Sequence, residues 1–193
     1  MCNDFGNRIP YDAYLQAFRE LRVPVRFPEA APNIEPRDDI WPTDPAPAIR
    51  RLEDGSNEFT LLRWGFPPGR PKGAPIINFR SEGRRFPVGR CLVPASHFFE
   101  FTGTKSPKSK WQFTKRGEDW FCFAGLWRPI ADGAGAAFSL LTTEPGADVA
   151  PLHDRQPVVL ERADWAAWLA LSRQEATLLR PLPAGSLAVE QVR

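Results

Sequence analysis

The first amphipathic segment of the chain is residues 11–22. Apolar side chains recur there at helical spacing, at Tyr11, Tyr14, Leu15, Phe18 and Leu21. Pro10 stands where a helix start tolerates proline, so the pattern predicts a helix over 11–22. Residues 24–58 are rich in Pro and acidic side chains and show no sustained period. We expect irregular structure there, with one short strand near 47–51.

Beyond residue 58 the pattern changes to short apolar runs rich in β-branched and aromatic residues. These predicted strands are 59–64, 75–80, 90–94, 97–101, 111–115, 120–127, 137–143, 157–160 and 187–192. Turn-forming residues separate most of them, which predicts a largely antiparallel sheet curled toward a barrel. Two helices are expected late in the chain, one over 162–171 and one after Ser172, where Ser172 to Glu175 matches a capping box. The predicted class is α+β: one domain over 1–193, with a mostly antiparallel curled sheet or open β-barrel and a few flanking helices.

Composition agrees with one aromatic core. The chain has 193 residues, of which 42% are hydrophobic, with seven Trp and fourteen Phe. No run of eighteen apolar residues and no secretory signal is present, so we expect a cytoplasmic protein. Its three cysteines are widely spaced and are expected to be free thiols. Its two histidines lack metal-ligand spacing, so we predict no metal and no cofactor.

Charge is distributed unevenly along the chain. Residues 63–116 carry twelve basic and two acidic side chains, whereas 1–62 and 117–193 each have a net charge of −4. Aromatic residues are interleaved with the cations of 63–116, a combination that suits single-stranded nucleic acid. The alternative is an ordinary solvated surface.

Cys2 directly follows Met1. Because its side chain is small, we expect the initiator Met to be removed, which would leave an amine and a thiol on one residue. An aldehyde can condense with the amine and then be captured by the sulfur as a thiazolidine. The α-amine titrates near ~7.7–8.0, so a useful fraction is uncharged at neutral pH. The alternative is an incidental cysteine in a frayed terminus.

Four polar or aromatic residues occur in unexpected contexts. Asn78 follows an apolar run and can donate and accept hydrogen bonds at once. Glu100 lies between phenylalanines, where desolvation would raise its pKa toward neutrality. His153 precedes an acid and a base and could shuttle protons. Trp64 begins a Gly- and Pro-rich loop as a possible stacking platform. The structural alternatives are a turn cap, an ion pair with arginine, a surface histidine and a core tryptophan.

Taken together, several motifs resemble one family. They are Met1-Cys2, WGFP at 64–67, INFRSE at 77–82, RCLVPASHFFEF at 90–101, AGLW at 124–127, LLTTEP at 140–145 and HDRQPVVL at 153–160. In this order they resemble the SOS-response-associated peptidase (SRAP) family. The resemblance implies removal of the initiator Met, binding of single-stranded DNA and a covalent crosslink to the aldehyde of an abasic site, which shields the lesion.

The resemblance also implies residue roles. Cys2 would be the nucleophile, Asn78 would position its amine, Glu100 would be the acid/base, and His153 would assist opening of the sugar ring and contact a phosphate. The expected DNA-binding residues are Trp64, Arg80, Ser81, Arg84, Arg85 and Arg155. The expected partner is single-stranded DNA with abasic sites, bound by a monomer without a membrane or metal. The protein would then be associated with the nucleoid when bound to DNA.

The chain departs from the family pattern at three places. Asn3 and Asp4 replace the Gly-Arg that is common there, so an acid stands where a DNA-facing cation is frequent. The loop after Trp64 lacks a second Trp, and Gln156 stands where Met is frequent. Two other functions stay open: a cysteine hydrolase that includes removal of Met1, using Cys2 with His153, and a non-covalent single-strand-binding module.

Overall fold

The computed structural model describes residues 2–30, 32–70 and 72–193, except the side chain of Asp132. The chain forms thirteen strands and three α-helices within these ranges. In chain order they are β1 (Phe5–Asn7), α1 (Tyr11–Glu20), β2 (Arg37–Ile40), β3 (Pro45–Arg51), β4 (Asn57–Trp64), β5 (Asn78–Arg80), β6 (Arg90–Ala95), β7 (His97–Thr102), β8 (Ser109–Lys115), β9 (Phe121–Pro129), β10 (Ala136–Thr143), β11 (Gln156–Pro157), β12 (Val159–Leu160), α2 (Trp165–Ala170), α3 (Glu175–Leu178) and β13 (Leu187–Gln191).

The strands form two sheets. The smaller sheet has the order β13-β8-β7-β1-β2, and all of its neighbours are antiparallel. The larger sheet has the order β11-β10-β4-β3-β6-β9-β12. In the larger sheet β10 pairs in parallel with β4 and β5, and it also pairs with β9. The predicted α+β class with a mostly antiparallel, curled sheet is confirmed, and the sheet does not close into a barrel.

The larger sheet is covered on both of its faces. Successive side chains of a strand point to opposite faces, so a single strand contributes to the packing on each side. In β6, Leu92 packs in a cluster with the helices, while Cys91 and Val93 pack toward the smaller sheet. Phe5 and Phe98 of the smaller sheet belong to that second cluster. Cys2 is also part of it, so the candidate nucleophile lies between the two sheets.

The helix over 11–22 is confirmed as α1, which buries Tyr14, Ala17 and Phe18. The helix predicted over 162–171 begins as a 3-10 turn and continues as α2. The predicted capping box is wrong. Helix α3 begins at Glu175 after Gln174, and the Glu175 carboxylate accepts a hydrogen bond from the backbone N–H of Phe86 at 3.1 Å.

The irregular stretch expected over 24–58 is only partly irregular. It contains the predicted short strand, extended to Pro45–Arg51, and also β2, whose polar sequence hid it. Strand β2 is an edge strand, where charged residues are tolerated because one side faces solvent. Within the described ranges, we find no helix long and apolar enough to cross a membrane.

Candidate active site

The site is built around the end of the smaller sheet where β1 and β7 meet. Phe5 pairs with Phe98, and one step further the N–H of Phe99 donates to the carbonyl of Asp4 at 3.0 Å. Beyond this contact the ladder ends, and Cys2 packs into the cluster between the sheets, where the charge of Glu100 acts on its thiol. Because side chains alternate along β7, Glu100 points to the same face as Phe98, into the space between the sheets.

Cys2 is fully buried, and its Sγ lies 3.5 Å from the carbonyl oxygen of Asp4. The side-chain N–H of Asn78 donates to the Cys2 carbonyl at 2.8 Å. The other amide atom, Asn78 Oδ1, is buried and has no hydrogen-bond partner in the described part of the chain. An acceptor is therefore left beside the backbone of Cys2, where an α-amine on that residue would need one.

Glu100 is 2% exposed, and burial raises the pKa of its carboxyl to about 7. Burial also raises the pKa of the Cys2 thiol, and the negative charge of Glu100 raises it further. The two groups therefore interact electrostatically. A thiol held in its protonated form needs a base before it can attack, and a carboxyl that titrates near neutrality can serve as one.

His153 faces Glu100 from the loop before β11. Its Nε2 lies 3.6 Å from Glu100 Oε2, and burial lowers the pKa of the imidazole. The backbone N–H of Arg155 donates to His153 Nδ1 at 3.0 Å. Since an amide N–H can only donate, Nδ1 is the acceptor, and the proton of the neutral ring lies on Nε2, toward Glu100. Asp154 Oδ1 lies 3.0 Å from Nδ1, where it would stabilise a protonated ring.

Arg155 is tied into the protein. Its guanidinium makes two hydrogen bonds to the carboxylate of Glu82, at 2.5 and 2.9 Å, and one to Thr142 Oγ1 at 3.1 Å. The Arg155 side chain is only 12% exposed. A DNA phosphate that reaches Arg155 must therefore compete with Glu82.

The other DNA-binding candidates divide into exposed and buried groups. Arg80, Arg84 and Arg85 are exposed, and Arg80 shares a face of β5 with Asn78 because the two are two residues apart. Arg84 and Arg85 line a cavity of about 620 Å³. Ser81 is buried, and its hydroxyl donates to the Thr142 carbonyl at 2.9 Å.

Trp64 is fully buried. Its indole N–H donates to the Ile77 carbonyl at 3.1 Å, and its ring is stacked with that of Phe138. A ring in this position has no exposed face for a base. Of the two interpretations that the sequence left open for Trp64, its burial supports the core one.

One residue near the site was missed by the sequence analysis. Glu82 holds Arg155, and Arg155 in turn holds the ring of His153. A signal was available, because Glu82 and Glu100 are the two acidic residues within the basic stretch 63–116. An acid kept among so many cations has a specific partner.

Asp4 does not face the site. Its side chain is fully buried and forms an ion pair with Lys110 at 2.8 Å. The residue that replaces the family's frequent cation is therefore part of the protein interior and does not present a negative charge to DNA. No cluster of three or more potential metal ligands occurs within the residues that the structure describes.

The sequence profile of the family described as SOS response associated peptidase (SRAP) matches residues 1–193. The chain belongs to the SRAP family. Among curated SRAP-like relatives, the abasic site processing protein YoqW of Bacillus subtilis (strain 168) is 30% identical over 215 residues, covering all of this chain and 92% of that protein. The abasic site processing protein YobE of the same organism is 28% identical, covering all of this chain and 94% of the relative.

Solved structures share the SRAP fold seen here. A phage-related protein from Bordetella bronchiseptica superposes with a TM-score of 0.75 at 24% identity, covering all of this chain and 94% of that one. A protein from Bacteroides thetaiotaomicron has a TM-score of 0.74 at 18% identity, with coverage of 100% and 92%. At these identities the likeness concerns the fold alone.

Proposed function

We propose that this protein processes abasic sites in single-stranded DNA by forming a covalent thiazolidine between Cys2 and the aldehyde of the lesion. The observation that carries the proposal is that Asn78 and Glu100 meet at Cys2 while His153 faces Glu100. The curated relatives named abasic site processing proteins support the choice of substrate. The proposal requires the α-amine of Cys2 to be free, and Met1 lies outside the described residues.

The covalent step conserves atoms in two stages. The Cys2 amine adds to the aldehyde carbon and water leaves, which forms an imine. The thiol then adds to the same carbon, its proton passes to the imine nitrogen, and a C–S bond closes the five-membered ring. The net reaction is aldehyde plus aminothiol giving thiazolidine plus water, and it needs no cofactor or oxidant.

Each neighbouring side chain has a task in this scheme. Asn78 fixes the backbone of Cys2 through its N–H and offers Oδ1 to the amine. Glu100 accepts the thiol proton and returns it, because a pKa near 7 allows both directions at neutral pH. His153, with its ring proton on Nε2, donates toward the ring oxygen of the closed sugar and so favours the open aldehyde.

The strand itself is bound through its backbone. Arg80, Arg84 and Arg85 follow Asn78 in the chain and are exposed cations, so phosphates could reach them. The hydrolase alternative would need the same base, because a hydrolytic cysteine usually works as a thiolate with a lowered pKa, whereas the pKa of Cys2 is raised.

The test is a denaturing gel of the protein with an abasic single-stranded oligonucleotide. The wild type should give a heat-stable shifted band. Cys2→Ser and Cys2→Ala should give only a labile product that borohydride traps, and insertion of one Ala between Met1 and Cys2 should abolish the stable band, because amine and thiol then belong to different residues. A stable band of wild-type yield from the insertion variant would refute the thiazolidine.

A further inference from the structure

A second ionic cluster lies two residues from Cys2, on the opposite face of the smaller sheet. Lys110 Nζ is 2.8 Å from Asp4 Oδ2, and it also contacts Asp39. The ammonium lies 3.7 Å from the ring centroid of Phe99, which makes a cation–π contact on the same face. The side chain of Asp4 is 0% exposed and that of Lys110 is 14% exposed.

Burial of Asp4 is unfavourable without a cation. Desolvation raises the pKa of its carboxyl to about 7, and the contact with Lys110 opposes that rise. The contacts with Asp39 and Asp4 raise the pKa of Lys110 although burial works against its charge. The ion pair is therefore specific, since removal of Lys110 would leave the buried Asp4 carboxylate without its cation.

The ion pair of Asp4 with Lys110 lies where the backbone pairing of the N-terminal segment with the smaller sheet ends. The strand ladder of β1 ends at Phe5, and the bond from the Phe99 N–H to the Asp4 carbonyl is its last backbone extension. Between that point and Cys2, the described hydrogen bonds run from Asn78 to the Cys2 carbonyl and from Cys2 Sγ to the Asp4 carbonyl, and the Cys2 side chain packs in the cluster between the sheets. The placement of Cys2 beside Glu100 thus depends on how firmly Asp4 is held.

We propose that Asp4 and Lys110 are positioning residues, whose ion pair fixes the N-terminal segment so that Cys2 meets Asn78 and Glu100. This role rests on the proposed crosslinking function. Neither side chain touches the reacting atoms, and the contact of Asp4 with Cys2 Sγ is made by its backbone carbonyl. Their loss should reduce the rate of the covalent step without reducing the affinity for DNA, because neither is among the exposed arginines that are expected to bind the strand.

The chain provides a matched control on the same strand. Lys115 is also a buried lysine of β8, with a side chain that is 5% exposed and ion pairs to Glu118 and Glu161. Replacing Lys115 by Met removes the same chemical group from a similar cluster far along the strand from Cys2. This variant shows how the loss of a buried ion pair affects the protein when the placement of Cys2 is not disturbed.

The experiment measures two quantities for each variant: the crosslinking rate constant at saturating protein and the affinity for an undamaged strand of the same sequence. Lys110→Met should slow the rate about tenfold or more, since misplacement by about 1 Å has effects of that size and larger. Lys115→Met should stay within about twofold. Lys110→Arg keeps the charge and should recover most of the rate. All affinities should remain close to that of the wild type.

Asp4→Asn provides a second variant in case Lys110→Met does not fold, and thermal melting checks that each chain is folded. The Asn variant keeps the shape but removes the charge, and it should also react slowly. Wild-type rates in folded Lys110→Met or Asp4→Asn would overturn the positioning role, as would equal loss in Lys115→Met. A wild-type protein that forms no adduct would instead refute the proposed function itself.

Discussion

Asp4 and Glu100 lie on neighbouring chain segments of the same sheet, one on each face. Burial raises the pKa of each carboxyl to about 7. Their partners differ. Asp4 pairs with Lys110, a cation whose pKa is raised, whereas Glu100 faces His153, an imidazole whose pKa is lowered.

The comparison shows that a shifted pKa by itself does not mark a reactive group. The Lys110 ammonium opposes the rise in the pKa of Asp4 and pairs with its carboxylate, so Asp4 acts as an anchor. Glu100 faces an imidazole whose pKa is lowered by burial, and its own carboxyl, with a pKa of about 7, can gain and lose a proton at neutral pH. Two carboxyls with similar pKa values can thus have different roles. The one on one face of the sheet positions the N-terminal segment, and the one on the other face transfers protons.

The largest expected effect is the loss of crosslinking rate when Glu100 is replaced. Glu100→Gln removes the proton acceptor near Cys2 and should slow adduct formation at saturating protein about 100-fold. Binding to undamaged single strands should be nearly unchanged, because the carboxyl is buried. Stopped reactions on denaturing gels measure the rate. Glu100 would lose its acid/base role if the variant bound poorly yet reacted at the normal rate once saturated.

The pH dependence of stability provides the next test. A Glu in an unfolded chain has a pKa near ~4.3, whereas Glu100 in the folded protein has one of about 7. The folded state therefore holds an extra proton between these values, and this carboxyl lowers stability progressively as pH rises through that window. Relative to the wild type, Glu100→Gln should gain about 2 kcal/mol in free energy of unfolding between pH 5 and pH 8.

Urea unfolding of both proteins at several pH values measures this difference. A constant difference across the window would mean that Glu100 is ionised throughout. Asp4→Asn should show no comparable gain in free energy of unfolding, because removal of its charge also removes the ion pair with Lys110.

Glu82 binds Arg155, which contacts the ring of His153. Its replacement should have a smaller effect on two quantities, the affinity for single strands and the crosslinking rate. Glu82→Gln frees the guanidinium of Arg155, so affinity for single strands should rise. The loop that holds the His153 ring loses its anchor, so the crosslinking rate should fall about fivefold. Glu144→Gln is the matched control, since Glu144 is an exposed acid of the same cavity.

If both variants raise affinity but only Glu82→Gln slows the reaction, Arg155 acts through His153. Equal rates in the two variants would leave Arg155 without that role.

The smallest expected effect concerns binding alone. Arg80→Gln should weaken binding to undamaged strands about threefold at low salt, and the loss should shrink as salt rises, because the contact works through release of counterions. The rate at saturating protein should be unchanged. Fluorescence anisotropy over a salt series measures this, and an effect independent of salt would rule out a phosphate contact by Arg80.

Sequence reasoning predicted the strands well where apolar residues were continuous, as in β6 and β9. It missed β2, because Arg37–Ile40 is a polar edge strand that is recognisable only from its pairing with β1. It placed a helix cap at Ser172, since a local motif does not reveal that Glu175 is needed by the backbone of Phe86.

The candidate site shows the same limit. Local context singled out Glu100 and His153, and the structure brings them within 3.6 Å of each other. The pairing of Asp4 with Lys110 spans more than a hundred positions and leaves no local signal. The burial of Trp64 likewise depends on strands that meet only in the folded chain.

The most direct measurement is mass spectrometry of the adduct formed with an abasic oligonucleotide. After digestion with trypsin and nuclease, the remnant of the lesion should lie on the fragment from Cys2 to Arg8, with the mass of the two partners less one water. That fragment should begin at Cys2 and not at Met1. A remnant on a peptide that contains Cys91, Cys122 or a lysine, or on a fragment that still carries Met1, would contradict the thiazolidine at Cys2.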